Sequence, residues 1–153
     1  MKLNLGSGKN PKGDWINIDN DPNAKYDILR DITKGLPFAD NSMDEVYASH
    51  IMEHLTKDEF CFVMQEIWRV CIDKAKITII VPHWQYEGAY DIDHKPVITK
   101  RWFKIFEKGY SCVQDTHKFH QGCYFKINEI IEDVDGSIKH AEPQMYVYLE
   151  VEK

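Results

Sequence analysis

Gly6-Ser7-Gly8 follows directly on the alternating segment Lys2–Leu5. A turn of this kind lets the backbone approach a ligand closely, since a Cβ at either glycine would block the approach or forbid the dihedrals. Asp19 closes the next alternating segment, Trp15-Ile16-Asn17-Ile18, where a carboxylate can accept both hydroxyls of a ribose. Each has a plainer reading, a structural turn and a solvated aspartate, and the run on to Gly13 lacks the G-x-G-x-x-G spacing of a dinucleotide site. His50, His83 and His94 fall on one side of the elements that carry them. Each is a candidate general base, because an imidazole titrates near neutrality, and each is equally a capping or loop histidine. His54, in Glu53-His54-Leu55, reads as pinning the start of a helix. Cys112, His117, His120 and Cys123 supply two thiols and two imidazoles, the donors of a structural zinc. Their spacing departs from the usual paired Cys and paired His patterns, so no metal is expected and this set is a weak candidate.

The elements that position these residues follow from periodicity. Lys2–Leu5, Trp15–Ile18, Tyr26–Ile32 and Met43–Ser49 read as short strands, the third weaker than the others, with Thr33–Ser42 as loop around Gly35, Pro37 and Asn41. Thr56 with Glu59 is a capping box. Phe60, Val63, Met64, Ile67, Trp68 and Cys71 then recur at helical steps, and Ile72-Asp73-Lys74 ends that helix. Lys76–Val81 is β-branched and of the length of a fully buried strand. Thr99 caps a second helix carrying Trp102, Phe103 and Phe106, and Phe125–Ile131 and Met145–Val151 read as two antiparallel strands. This order describes an α/β domain with a mostly parallel twisted sheet and an antiparallel C-terminal strand pair. Ligands of such sheets bind at the carboxyl ends of the strands.

Composition bounds the classes of function. At 153 residues one domain, 1–153, is expected. The balance of 19 Lys+Arg against 25 Asp+Glu, net −6, argues against a phosphate-coating nucleic-acid binder. The longest apolar run, Ile77–Pro82, is far short of a membrane span, and no signal-peptide stretch opens the chain, so a cytoplasmic protein with no membrane partner is expected. The four cysteines are too scattered for a secreted disulfide framework, and free thiols are expected.

The segments LNLGSG, WINIDND, YDILRDITKGLPFADNSMDEVYASHIMEHL, IIVPH and DHKPVITKRWF together resemble a class I S-adenosylmethionine-dependent methyltransferase of the small methyltransferase type 11 kind, over about residues 2–106. The resemblance implies a Rossmann-like fold, S-adenosylmethionine as cofactor and a small-molecule acceptor, a sugar or other metabolite. It places Asn4, Gly6, Ser7 and Gly8 in the first cofactor motif and Asp19 on the ribose hydroxyls. Asp31 and Ile32 come to the adenine, and Ser49 and His50 face cofactor and substrate. Asn4 and Asn10 stand where the family usually has an acid and a third glycine. The alternative is a degenerate module of the same fold that binds or assembles without transferring methyl groups; a nicotinamide-binding Rossmann protein is disfavoured by the glycine spacing.

Gly6–Asp14 and Asn20–Lys25 are too short for crossover helices, so reduced helical cover on one sheet face is expected. Parallel strands are normally buried on both faces. The loop His83–Val97, with Trp84, Tyr86 and Tyr90, or the same face of a second chain in a homodimer, is the expected cover.

Overall fold

Residues 1–110, 122–137 and 142–153 are described by a computed structural model; Cys112, His117 and His120 of the candidate zinc set lie outside them. Strands β1 (Lys2–Leu5), β2 (Ile16–Asp19), β3 (Ile28–Leu29), β4 (Met43–Ser49), β5 (Cys71–Pro82), β6 (Tyr124–Asp133) and β7 (Gln144–Glu152) form one sheet in the order β3-β2-β1-β4-β5-β7-β6. The first five are parallel, and β7 runs antiparallel to both β5 and β6. The chain order reverses between β1 and β4, the place where open α/β sheets bind ligands.

One face of the sheet is apolar. Leu3, Val46, Ile77 and Leu149 stand side by side across four strands, as do Leu5, Ala48, Ile79 and Val147. These side chains share a single core with Phe60, Val63, Met64 and Ile67 of helix α1 (Lys57–Val70). The capping box forms as the sequence suggests: Glu59 N–H donates to Thr56 Oγ1 at 3.3 Å, and Thr56 N–H donates to the Glu59 carboxylate at 2.7 Å. Helix α2 (Lys100–Lys104) adds Phe103, and Phe106 follows it; Trp102 meets Phe60 edge-on at 5.0 Å and Phe106 meets Phe125 at 6.0 Å. Thr99 precedes α2 but makes no side-chain cap bond.

The loop before β4 is held by one guanidinium. Arg69 donates to the carbonyls of Leu36 and Phe38, to Asp40, and through two nitrogens to Glu66, whose carboxylate also accepts from Leu36 N–H at 2.8 Å. Those bonds hold Glu66 below its ordinary carboxylate value, Arg69 being the larger cause. The Leu36-Pro37-Phe38 block is thus tied to the last turn of α1.

One sequence expectation is corrected. Helix α1 stops at Val70, and Cys71 opens β5, with Lys74 in the left-handed region (φ +63°) where the β4–β5 register shifts. The other sheet face is partly covered by loops. The loop from His83 lies at the strand ends, bonded to Pro143, Glu53 and Glu132. The β1–β2 connection folds over another part of the face: Trp15 meets Tyr47 edge-on at 6.3 Å, and Lys12 Nζ lies 3.8 Å from the Tyr47 ring centre. Ile80 and Tyr146 are buried side by side toward the strand ends of that face, and much of the rest is polar. Lys2, Glu45, Lys76, Glu150 and Lys126 form a row of alternating charge across five strands, beside a row of Asn4, Tyr47, Thr78 and Tyr148. Oppositely charged cross-strand neighbours are favourable. A face built this way tolerates water without the helices its short connections leave no room for.

Candidate functional site

The turn after β1 is shaped by its glycines. Gly6 has φ +66°, and a Cβ there would lie 2.9 Å from Ile51 Cβ; Gly8 has φ +51° with open space beside it. Both positions favour glycine by φ, and at Gly6 Ile51 also leaves no room for a side chain. Asp19 clasps the turn, accepting from Gly8 N–H at 2.7 Å and from Asp21 N–H at 2.9 Å. A carboxylate has about four acceptor positions, so room for further donors remains. Asp31 caps the short 3-10 turn Ile32–Lys34, its Oδ1 accepting from the Thr33 hydroxyl and N–H. The Thr33 hydroxyl is the main cause that lowers the Asp31 carboxyl below its ordinary value.

Gly6, Asp19, Asp31, Ile32, Ile51 and His54 line a cavity of about 300 Å³ at the carboxyl ends of β1 and β2. Four of the residues that the sequence points to are therefore brought together. The others stand apart from its lining. Asn4 is buried beneath the opposite face, its amide donating to Asn17 at 2.9 Å, and the Ser7 hydroxyl donates to the Lys25 carbonyl. Gly8 and Ser49 are partly buried nearby without lining it.

A second cavity, of about 440 Å³, is lined by His50, Tyr86, Asp91, His94, Glu142 and Gln144 among others. His50 follows β4 in the left-handed region (φ +52°), uncommon for any residue but glycine. Its N–H donates to the Ile80 carbonyl, and its Nδ1 lies 3.1 Å from Oε1 of Glu53, whose bond to the ring is the main cause raising the imidazole above its ordinary value. Glu53 is 2% exposed. Sequence reasoning passed over it, because an acid just before a helix reads as solvated. His83 is buried on another side, its Nδ1 accepting from Gln85 N–H and its Nε2 3.6 Å from Glu132, and lines a separate cavity. The three candidate bases thus divide, with His50 and His94 facing one cavity and His83 elsewhere. The two cavities adjoin where the rings of His54 and His94 meet edge-on, 4.8 Å between centres.

Residues 15–79 match the family described as a methyltransferase domain. No curated protein matches the sequence. Among solved structures, an S-adenosylmethionine-dependent methyltransferase from Archaeoglobus fulgidus is similar at a TM-score of 0.67 and 13% identity, over 97% of this chain and 85% of that one. One from Methanosarcina mazei gives 0.64 at 11% identity, over 99% and 91%. A structure of the Haloferax volcanii Trm112 methyltransferase activator in complex with a methyltransferase gives 0.64 at 13%, over 99% and 82%. Family match and fold together support a class I S-adenosylmethionine-dependent methyltransferase, with S-adenosylmethionine as the cofactor.

The cavity of about 300 Å³ fits that cofactor by the chemistry of its donors. Two carboxylates with acceptor capacity to spare, Asp19 and Asp31, suit hydroxyl and amino donors, while Ile32, Ile51 and Leu55 offer apolar walls for a flat base. Gly6 leaves backbone bare between them.

Proposed function

We propose that the chain methylates a hydroxyl or amine of a small polar molecule, a sugar or other metabolite, using S-adenosylmethionine. The observation that carries this reading is the pair of adjoining cavities at the strand ends, one lined by Gly6, Asp19 and Asp31 and the other by His50 and His94. When bound, the cofactor supplies a methyl group activated on a sulfonium. Asp19 accepts from the ribose hydroxyls, Asp31 from the adenine amino group, and Ile32 lies against the base. In the second cavity the acceptor is held in line, and His50 takes its proton, steadied by Glu53. His94 stands on the same cavity wall as a second base. Among the described residues the lining carries Glu87, Asp91 and Glu142 and no lysine or arginine, which favours uncharged or cationic acceptors over anionic ones.

The test is calorimetric titration with S-adenosylmethionine and S-adenosylhomocysteine, NAD serving as control, followed by a radiolabelled methyl screen over hydroxyl and amine acceptors. Saturable binding of the first two ligands and labelled product is the expected result. Binding without transfer over the whole panel would make the chain a binding module of this fold.

A further inference from the structure

The junction of the two cavities carries a cluster that can do more than serve methyl transfer. Glu53, His54 and His94 each offer a ligand atom, and these atoms lie within 4.8 Å of one another. Two polar atoms here are buried without a hydrogen-bond partner: Oε2 of Glu53, on a residue 2% exposed, and Nδ1 of His94. A buried carboxylate oxygen and a buried imidazole nitrogen left unpaired cost free energy unless something satisfies them. Two of the neighbouring groups are engaged elsewhere. His50 is on the other carboxylate oxygen, Oε1, and His54 Nδ1 faces Asp93, 3.3 Å from its carbonyl and 3.5 Å from its carboxylate.

We propose that Glu53, His54 and His94 bind a divalent first-row metal ion of the Zn²⁺ type. Two imidazoles and one carboxylate are the donor set of open zinc sites and of non-haem iron sites. The surrounding bonds have the form such sites require. Asp93 engages His54 at Nδ1, leaving Nε2 for a metal, and His50 holds Oε1 of Glu53, leaving Oε2. Zinc bonds of about 2.0–2.2 Å bring donors to about 3.4 Å apart, a closing movement of about 1 Å for the imidazole rings. The rings are free to make it, because His54 and His94 are only partly buried and are carried on separate segments, while Glu53 is the fixed point. Three protein ligands leave at least one coordination position for water or a ligand oxygen. His94 lines the larger cavity, whose Glu87, Asp91 and Glu142 draw cations toward it. A metal here takes the lone pair of His94 and leaves His50 as the base.

Metal binding is measured on the full chain alone, stripped with chelator and dialysed against Zn²⁺, with Co²⁺ spectra reporting the donor set; no cofactor or acceptor is needed, so this result is independent of the methylation reading. One equivalent of metal is expected in the wild type and in Cys112→Ser/Cys123→Ser. His54→Ala and His94→Ala, both at partly exposed positions, should each weaken binding about 100-fold or more with unchanged circular dichroism, and Asp93→Ala about 10-fold. Absence of stoichiometric binding overturns the proposal, as does binding indifferent to both histidines. Loss of metal in the cysteine variant overturns it too, and would move the site to Cys112, His117, His120 and Cys123.

Discussion

Asp19 offers a test in which the ligand's own atoms report on one side chain. Its two carboxylate oxygens already hold Gly8 and Asp21 N–H at 2.7 and 2.9 Å, so replacing it with alanine would disturb the glycine turn as well as any ligand. Asp19→Asn is gentler, because the amide oxygen can keep one of those bonds while the charge is lost. The measurement is a cycle: Kd of S-adenosylhomocysteine and of its 2′,3′-dideoxy analogue, each against wild type and Asp19→Asn. A hydrogen bond to a charged acceptor contributes about 1.5–3 kcal/mol, or about 10- to 150-fold in Kd. Removing the hydroxyls should therefore weaken binding to the wild type by about that factor and to the variant by several-fold less. Any general loosening of the turn lowers both affinities of the variant equally and cancels in the cycle. Equal losses in the two proteins would refute the assignment of Asp19 to the ribose.

Three further outcomes are expected. Gly6→Ala should destabilise the fold by about 1–3 kcal/mol, through positive φ and the crowding of Ile51, against about 1 kcal/mol for Gly8→Ala, as read by urea denaturation. Glu66→Gln should cost about 2–3 kcal/mol and flatten the acid limb of stability. Because the folded-state value of Glu66 lies below its ordinary 4.5, its contribution is complete above that pH and is lost as pH falls through the lowered value, which acid titration of the wild type and variant resolves. Burial pushes the Cys61 and Cys123 thiols up to about 11 and that of Cys71 to about 12, so iodoacetamide at pH 8 should label these three slowly in native protein and rapidly in urea, counted by mass spectrometry.

The parts of this fold that rest on local chemistry could be read from the chain. Met43–Ser49 alternates and is a strand over those residues, and Thr56 with Glu59 forms the cap its spacing implies. The end of α1 was harder, because Ile72-Asp73-Lys74 carries the charges of a helix terminus while the chain has already turned into β5. Shortness of the β1–β2 connection foretold a thinly covered face, but the device that makes it tolerable is invisible until register is known. Lys2, Glu45, Lys76, Glu150 and Lys126 are scattered in sequence and aligned only by pairing. At the site, Gly6, Asp19, Asp31 and Ile32 converge because they end or follow three adjacent parallel strands. His83 stands apart from the other two candidate bases, and Glu53 was passed over, for one reason: the direction of a side chain at a strand end or a short turn is set by tertiary contacts, here Gln85 and Glu132 for the first and His50 for the second.

The helix-free connections have a consequence for motion. β1, β2 and β3 are joined by short turns, β3 is two residues long, and its pairing to β2 covers only Ile18–Ile28 and Asp19–Leu29. An edge with so few packed side chains opens locally at a small fraction of the free energy needed to unfold β5, which is buried between β4 and β7. Asp19 and Asp31 sit on that edge. A nucleoside gripped by both would tie the last two strands to the sheet, doing by occupancy what a crossover helix does by covalent sequence. Amide exchange in Ile28–Asp31 should then slow in proportion to ligand bound, while exchange in β5 stays as it was.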